Sequence, residues 1–282
     1  MRKARRGGDA SCWPLLAVLL LSSAACAGQT LRPKFPIHDA SQVLARREAS
    51  IAGLNAMRAE ARVDQRAKQG RIRGTVLMFV ERAGRVRFDV MTQFGPIAIL
   101  SSDGERFAYA DFRENRYLTG ETCPSNIARL LGVPLSAADT ARFLLGGTPV
   151  LEQATTQLLE TDSGTYLLSL HAPSGQTQEL ELAVYPADLS QPGRLQRLYL
   201  VRSELFGPDH TRIWRVTYDD VEPVGAGAAA VLMPRKVRIE QPAAAADTLV
   251  HFKDIAINPN IPDDAFVQTA RPGMQEEEVP CD

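Results

Sequence analysis

The side chains that could do covalent or metal chemistry in this sequence are spaced poorly for it. His38, His171, His210 and His251 are scattered along the chain. Asp209-His210 follows a Gly207-Pro208 turn, but no serine or cysteine in a nucleophile motif lies nearby. Nucleophilic catalysis needs such a residue within hydrogen-bond reach of its base. The chain has no HExxH, P-loop or GxGxxG motif, the signatures of zinc, phosphate and dinucleotide chemistry. Asp263-Asp264 could hold a cation, although a solvated turn accounts for the pair as well. The four cysteines, Cys12, Cys26, Cys123 and Cys281, are too far apart for a CxxC metal or redox motif. The expectation is a protein that is not an enzyme and has no cofactor and no metal site.

Cys26 is the residue whose neighbours specify a chemistry. Arg2, Lys3, Arg5 and Arg6 precede an apolar run from Trp13 to Leu21, and the small residues Ser22 to Ala25 lead to Cys26. This is the tripartite secretion pattern, and the run is shorter than the ~20 residues a membrane-spanning helix needs. Ser23-Ala24-Ala25-Cys26 resembles a bacterial lipobox, with Ser23 where leucine is usual. The resemblance implies removal of residues 1–25, a thioether lipid on Cys26, and a body in the periplasm. An ordinary signal cleaved near Ala25 is the alternative. Ala27, rather than aspartate, follows the cysteine, which implies export to the outer membrane. In an oxidising compartment Cys123 and Cys281 could form a disulfide.

The elements that must position the rest can be read from periodicity. The chain has 282 residues, 45% hydrophobic, with a formal net charge of −1. That allows one or two domains and offers no basic patch for a nucleic-acid partner. Residues 26–38 form the lipidated start and a tether containing Pro33 and Pro36. Asp39 or Ser41 caps a helix to about Leu54, with Val43, Leu44, Ile51 and Leu54 on one face. Met57, Ala59, Ala61 and Val63 then alternate with charged residues, as in a half-buried antiparallel strand. Further strands are expected over 71–81, 85–90, 97–100, 107–110 and 116–118.

Two short apolar helices interrupt the strands. One starts at Cys123-Pro124-Ser125 and carries Ile127, Leu130 and Leu131; the other starts at Pro134-Leu135-Ser136 and carries Ala141, Phe143, Leu144 and Leu145. Such helices need a surface to cover. Val76, Met78 and Val80 share one face of a strand, Val86, Phe88 and Val90 continue it, and Trp214 stands on a later strand with Val216 and Tyr218. Strands resume over 153–160, 166–170, 179–185, 195–201, 212–218, 235–240 and 249–257. Residues 39–270 read as one mainly β domain with helices, and a sheet of about a dozen strands curls or closes. The run Gln275 to Glu278, with three glutamates, places 271–282 in an acidic, disordered tail.

Several stretches resemble the LolA/LolB-like lipoprotein-localisation superfamily, and most of all its outer-membrane acceptor branch, the LolB type. Met91-Thr92-Gln93-Phe94-Gly95-Pro96-Ile97-Ala98-Ile99-Leu100 is similar to a strand–loop–strand of that branch. Ile127 to Leu135 and Phe143 to Pro149 look like its two lid helices, and Asn258 to Phe266 resembles the superfamily's final strand and exit. The resemblance implies an unclosed, curved antiparallel β-barrel of eleven strands with helices across its concave face. It further implies that Val76, Met78, Val80, Val86, Phe88, Val90, Leu130, Leu131, Phe143, Leu144 and Trp214 line a cavity for acyl chains. Acylated lipoproteins or phospholipid would be the cargo, received from a periplasmic lipoprotein carrier and inserted in the outer membrane. By the same resemblance Phe94 contacts the membrane; the other reading folds it back under its hairpin. Pro96 departs from the family norm. A filled core at the eleven residues, and a sensor or interaction protein on the same fold, remain the alternatives.

Overall fold

The alternating run after the first helix becomes the centre of a sheet. Met57, Ala59, Ala61 and Val63 are buried while Arg58 and Arg62 are exposed, so one face of this strand packs and the other meets water. The computed structural model describes residues 32–67, 70–160, 163–227 and 230–281. Cys26 and the signal residues lie outside them. Residues 31–282 form one compact unit with one main hydrophobic core.

In chain order the unit runs α1 (Ala40–Ile51), β1 (Ala56–Ala67), β2 (Gly70–Glu81), β3 (Val86–Thr92), β4 (Gly95–Ser102), β5 (Arg106–Asp111) and β6 (Arg116–Glu121). The helices α2 (Pro124–Leu131) and α3 (Ala137–Leu144) follow. Then come β7 (Thr155–Glu160), β8 (Tyr166–His171), β9 (Thr177–Val184), β10 (Leu198–Phe206), β11 (Arg212–Val224), β12 (Val231–Gln241), β13 (Ala246–Ile257) and β14 (Gln275–Glu278). All fourteen strands belong to one sheet, ordered β14-β6-β5-β4-β3-β2-β1-β13-β12-β11-β10-β9-β8-β7. Two antiparallel meanders meet where β1 pairs with both β2 and β13. The α2–α3 segment carries the chain from β6 near one edge to β7 at the other. The ends β7 and β14 do not pair, so the sheet is curved and unclosed, as expected, with three strands more than the eleven implied.

Side chains cap α1 and α3, and a proline opens α2. The Asp39 carboxylate accepts from the Gln42 amide at 2.9 Å, and the Ser41 hydroxyl bond, with this one, holds its pKa below the ordinary carboxylate value. Pro124 opens α2 at the position where its missing N–H costs nothing. Gly132 ends α2 in the left-handed region. There the Gln65 side chain, with its amide oriented to match donors with acceptors, donates to the Leu130 carbonyl at 2.8 Å and accepts from Gly132 N. Ser136 caps α3 through the Asp139 amide at 3.0 Å, worth about 1 kcal/mol. The β2–β3 turn needs Gly84: a Cβ there would stand 3.2 Å from the Ala138 backbone, so glycine lets α3 lie close over the sheet.

Two boundaries differ from expectation. Gln275 to Glu278 is not a disordered tail: it is β14, parallel to β6, in the register Gln275–Arg116 to Glu278–Thr119. All four residues are exposed, so their charge reports solvation and says nothing against backbone pairing. The buried Val279 and the Cys123–Cys281 disulfide fasten this segment, with Cα atoms 6.1 Å apart. At the other end, the tether's last residues are part of the domain. Ile37 is buried and its amide donates to the Tyr166 hydroxyl at 2.9 Å, while Lys34 N bonds Leu189 O at 2.7 Å.

Candidate functional site

The face expected to bear the site is covered by helices, and its middle is full. Val76, Met78, Val80, Val86, Phe88, Phe143, Leu144 and Trp214 are all buried in one continuous cluster, with Val90 and Leu130 half-buried at its margin. Phe143 of α3 meets Trp214 of β11 edge to face, with ring centroids 5.1 Å apart. That geometry suits the ring quadrupoles. The structure does not describe the Leu131 side chain. None of the other ten lines the clefts described below. Phe143 and Leu144 of α3 pack with the buried strand residues in one core.

Open space lies to one side, where α1 spans β9 and β10. A cleft of about 320 Å³ is lined by Leu44, Ile51, Val150, Leu180, Leu182 and Leu200, with Arg47 and Glu48 on its α1 wall. A second cleft, of about 390 Å³, shares Glu48, Ile51, Gly147, Thr148 and Val150 with it and extends toward Arg82 and Arg142. Each falls at the lower end of small-molecule site volumes. On the opposite flank of α1 an open groove of about 760 Å³ runs between residues 36–46 and Pro192-Gly193-Arg194. It is lined by Ile37, His38 and Gln42 among others, with the Arg46 guanidinium bonded to the Arg194 carbonyl at 2.9 Å.

Arg47 is the feature that sequence reasoning missed. Its side chain is only 9% exposed, on the wall of an apolar cleft. The guanidinium donates to the Leu198 carbonyl at 3.4 Å and to the Gly146 carbonyl, tying α1 to β10 and to the end of α3. Among the described residues no carboxylate lies within ion-pair distance of it. Burial disfavours the charged form and, outweighing the nearby Glu48 carboxylate, lowers its pKa to about 10. The neighbouring Tyr218 hydroxyl donates to Gly147 O, and its own burial pushes its pKa up. A signal was available: Val43, Arg47 and Ile51 follow one another at four-residue spacing, so Arg47 is a charge within an apolar helix stripe.

Phe94 stands apart from this face, at the tip of the β3–β4 hairpin, 92% exposed. Gly95 takes φ +114°, open to glycine, and Thr92 Oγ1 accepts from Phe94 N at 3.2 Å and donates to Gly95 O at 2.9 Å. The turn therefore presents the ring outward and does not fold it under the hairpin. The side chains weighed for polar chemistry are used locally. Asp263 pairs with Arg85 at 2.8 Å, and Asp209 accepts from the Thr211 amide and hydroxyl. Among the described residues no group of three or more His, Cys, Asp or Glu could hold a metal ion.

No family model matches the sequence, and no curated protein matches it. Solved structures match the fold. A LolA superfamily protein from Nitrosomonas europaea is 10% identical with a TM-score of 0.51, over 81% of this chain and 97% of that one. A domain assigned to outer-membrane lipoprotein sorting from Vibrio parahaemolyticus is 10% identical with a TM-score of 0.52, over 80% of this chain and 95% of that one. A DUF1329 family protein from Desulfovibrio piger is 10% identical with a TM-score of 0.50, over 80% and 97%. At this identity the likeness is one of fold: a mainly β, unclosed curved sheet with helices on one face.

Proposed function

We propose that this chain is a non-catalytic lipoprotein of the bacterial envelope that shelters acyl chains of lipoproteins or phospholipid. In this reading Cys26 carries a lipid that tethers the domain to the periplasmic face of the outer membrane. A periplasmic lipoprotein carrier hands cargo to it, and Phe94 enters the membrane as cargo is inserted, a role of the LolB type. The observation that carries the reading is the apolar cleft between α1 and β9–β10, which adjoins a continuous apolar face under three short helices. Each methylene moved from water into such a place gains about 0.8 kcal/mol, so binding needs area and not aligned polar groups. The sorting assignment of the Vibrio relative points the same way.

The filled core around Phe143 and Trp214 favours a second reading, an envelope sensor or interaction protein on the same fold. Fluorescent fatty-acid titration of residues 31–282 separates the two. Saturable uptake near one probe per chain, displaced by unlabelled acyl chain, supports the carrier. No uptake supports the sensor. In a reconstituted transfer assay Phe94→Glu is expected to slow cargo insertion with folding unchanged; transfer at the parent rate removes Phe94 from the site.

A further inference from the structure

The two clefts beside α1 share Glu48, Ile51, Gly147, Thr148 and Val150, so they adjoin along one wall, yet they differ in character. The smaller lies over Leu180, Leu182 and Leu200, all buried, with Leu44 at its side. A methylene is close in size to a water molecule, about 30 Å³. At that size the cleft of about 320 Å³ holds roughly ten carbons, one chain and not two abreast. The larger cleft carries four charged side chains, Glu48, Arg82, Arg142 and Glu152. A wall that passes from leucine to charge fits an amphiphile, a chain with a polar head.

The four charges differ in how they are used. Arg82 is committed to the wall: it donates to the Leu54 carbonyl at 2.9 Å, to Glu48 at 3.1 Å and to the Ile51 carbonyl at 2.6 Å. Arg142 is exposed, and its ion pair with Asp139 is long, at 3.6 Å. Glu152 is exposed and has no ion pair among the described residues. The cleft thus offers one loosely held cation and one free anion. A fatty acid brings a single negative charge and gives Glu152 no partner. An ethanolamine phosphate brings both signs, a phosphate for the guanidinium and an ammonium for the carboxylate.

We propose that this site takes a one-chain phospholipid with a zwitterionic head, of the monoacyl phosphatidylethanolamine class. The chain lies over Leu180, Leu182 and Leu200, the phosphate meets Arg142 and the ammonium meets Glu152. This rests on the acyl-binding reading above and adds the number of chains and the charge of the head. The test is displacement of a bound fluorescent fatty acid from residues 31–282, the compact unit that holds the core, by dodecanoyl lipids kept below micelle formation. Lysophosphatidylethanolamine should displace it at about fivefold lower concentration than uncharged monoacylglycerol, the yield of two partly exposed ion pairs. Lysophosphatidylglycerol, which lacks the ammonium, should fall between them. Arg142→Gln and Glu152→Gln should each cut the preference over monoacylglycerol about twofold; both side chains are exposed, and an unchanged melting temperature verifies the fold. Dihexanoyl phosphatidylethanolamine, with the same acyl carbons in two chains, should displace poorly. Equal displacement by all three heads, or variants that keep the parent's preference, overturns the proposal, as does a two-chain lipid that competes as well as the one-chain lipid. In each of those cases the displaced probe still supports acyl binding. A probe that never binds the parent overturns both readings.

Discussion

The face beneath α3 and the cleft beside α1 are built from the same residue types and end up differently packed. Under α3, Phe143 and Trp214 interlock over Met78 and Phe88, and little room is left. Beside α1, Leu44, Ile51 and Val150 border a cleft over the buried Leu180, Leu182 and Leu200. The difference lies in what each helix offers the sheet. The inward side chains of α3 are Ala141, Phe143 and Leu144, all buried. The inward stripe of α1 has Arg47 where an apolar residue would complete Val43 and Ile51. The guanidinium reaches the Gly146 and Leu198 carbonyls and holds the helix by polar ties. One helix is a closed part of the core, and the other borders an open cleft.

Breaking the closed side should produce the largest effect. Phe143→Ala removes a fully buried ring and its contact with Trp214, and is expected to cost about 3–5 kcal/mol in denaturant unfolding. A cost under 1 kcal/mol would mean that α3 is as loosely seated as α1. Arg47→Met sharpens the other side. It leaves two carbonyls without a charged donor, an expected cost of about 1–3 kcal/mol, and should speed probe uptake by loosening α1. A variant more stable than the parent would show that the burial of the charge outweighs its hydrogen bonds. Val150 is 46% exposed and lines both clefts. Val150→Trp should fill the entrance and weaken fatty-acid binding about tenfold, or about 1.4 kcal/mol, with stability changed by about 0.5 kcal/mol or less. Unchanged binding would place the acyl site elsewhere.

The smallest effect concerns acid. Asp188, in the β9–β10 connection beside α1, holds Arg197 through paired hydrogen bonds of 2.7 and 2.8 Å. Those bonds keep its pKa below the ordinary carboxylate value. A lowered folded-state pKa contributes stability that is present above the unfolded value of about 3.9 and is lost as pH falls through the folded value. With Arg197 about a third exposed, solvent screening holds the contribution to about 1 kcal/mol or less. Melting followed from pH 7 to about pH 3 should show a smaller acid loss for Asp188→Asn than for the parent; identical profiles would remove this pair from the acid response.

The architecture was largely legible because it repeats. Burial alternates along β1, β2, β8, β9 and most of β13, and the caps Asp39 and Ser136 with the stop Gly132 mark helix ends by local chemistry. What was illegible depends on partners distant in sequence. The acidic strand β14 exists because the β6 edge and the Cys123 sulfur are there to receive it, and neither is visible from Gln275 to Glu278. The cleft is assembled from α1, the 147–150 segment and β9–β10, so no window of sequence contains it. Of the eleven residues read as cavity wall, Val76, Met78, Val80, Val86, Phe88 and Trp214 are buried on the covered face, and Phe143 and Leu144 are buried on the helix above it. Periodicity identifies a face and not whether a helix fills it, and that is decided by the fit of Phe143 against Trp214. Arg47 was overlooked because a lone charge on an amphipathic helix looks like part of its solvated side.

Native mass spectrometry of residues 31–282, purified gently from expressing cells and then denatured to release what is bound, tests the central claim most directly. The account predicts acyl chains or phospholipid at near one per protein in the parent and their depletion in Val150→Trp. Parent protein that emerges empty, and stays empty after incubation with fatty acid, would contradict a carrier role and leave the sensor reading in its place.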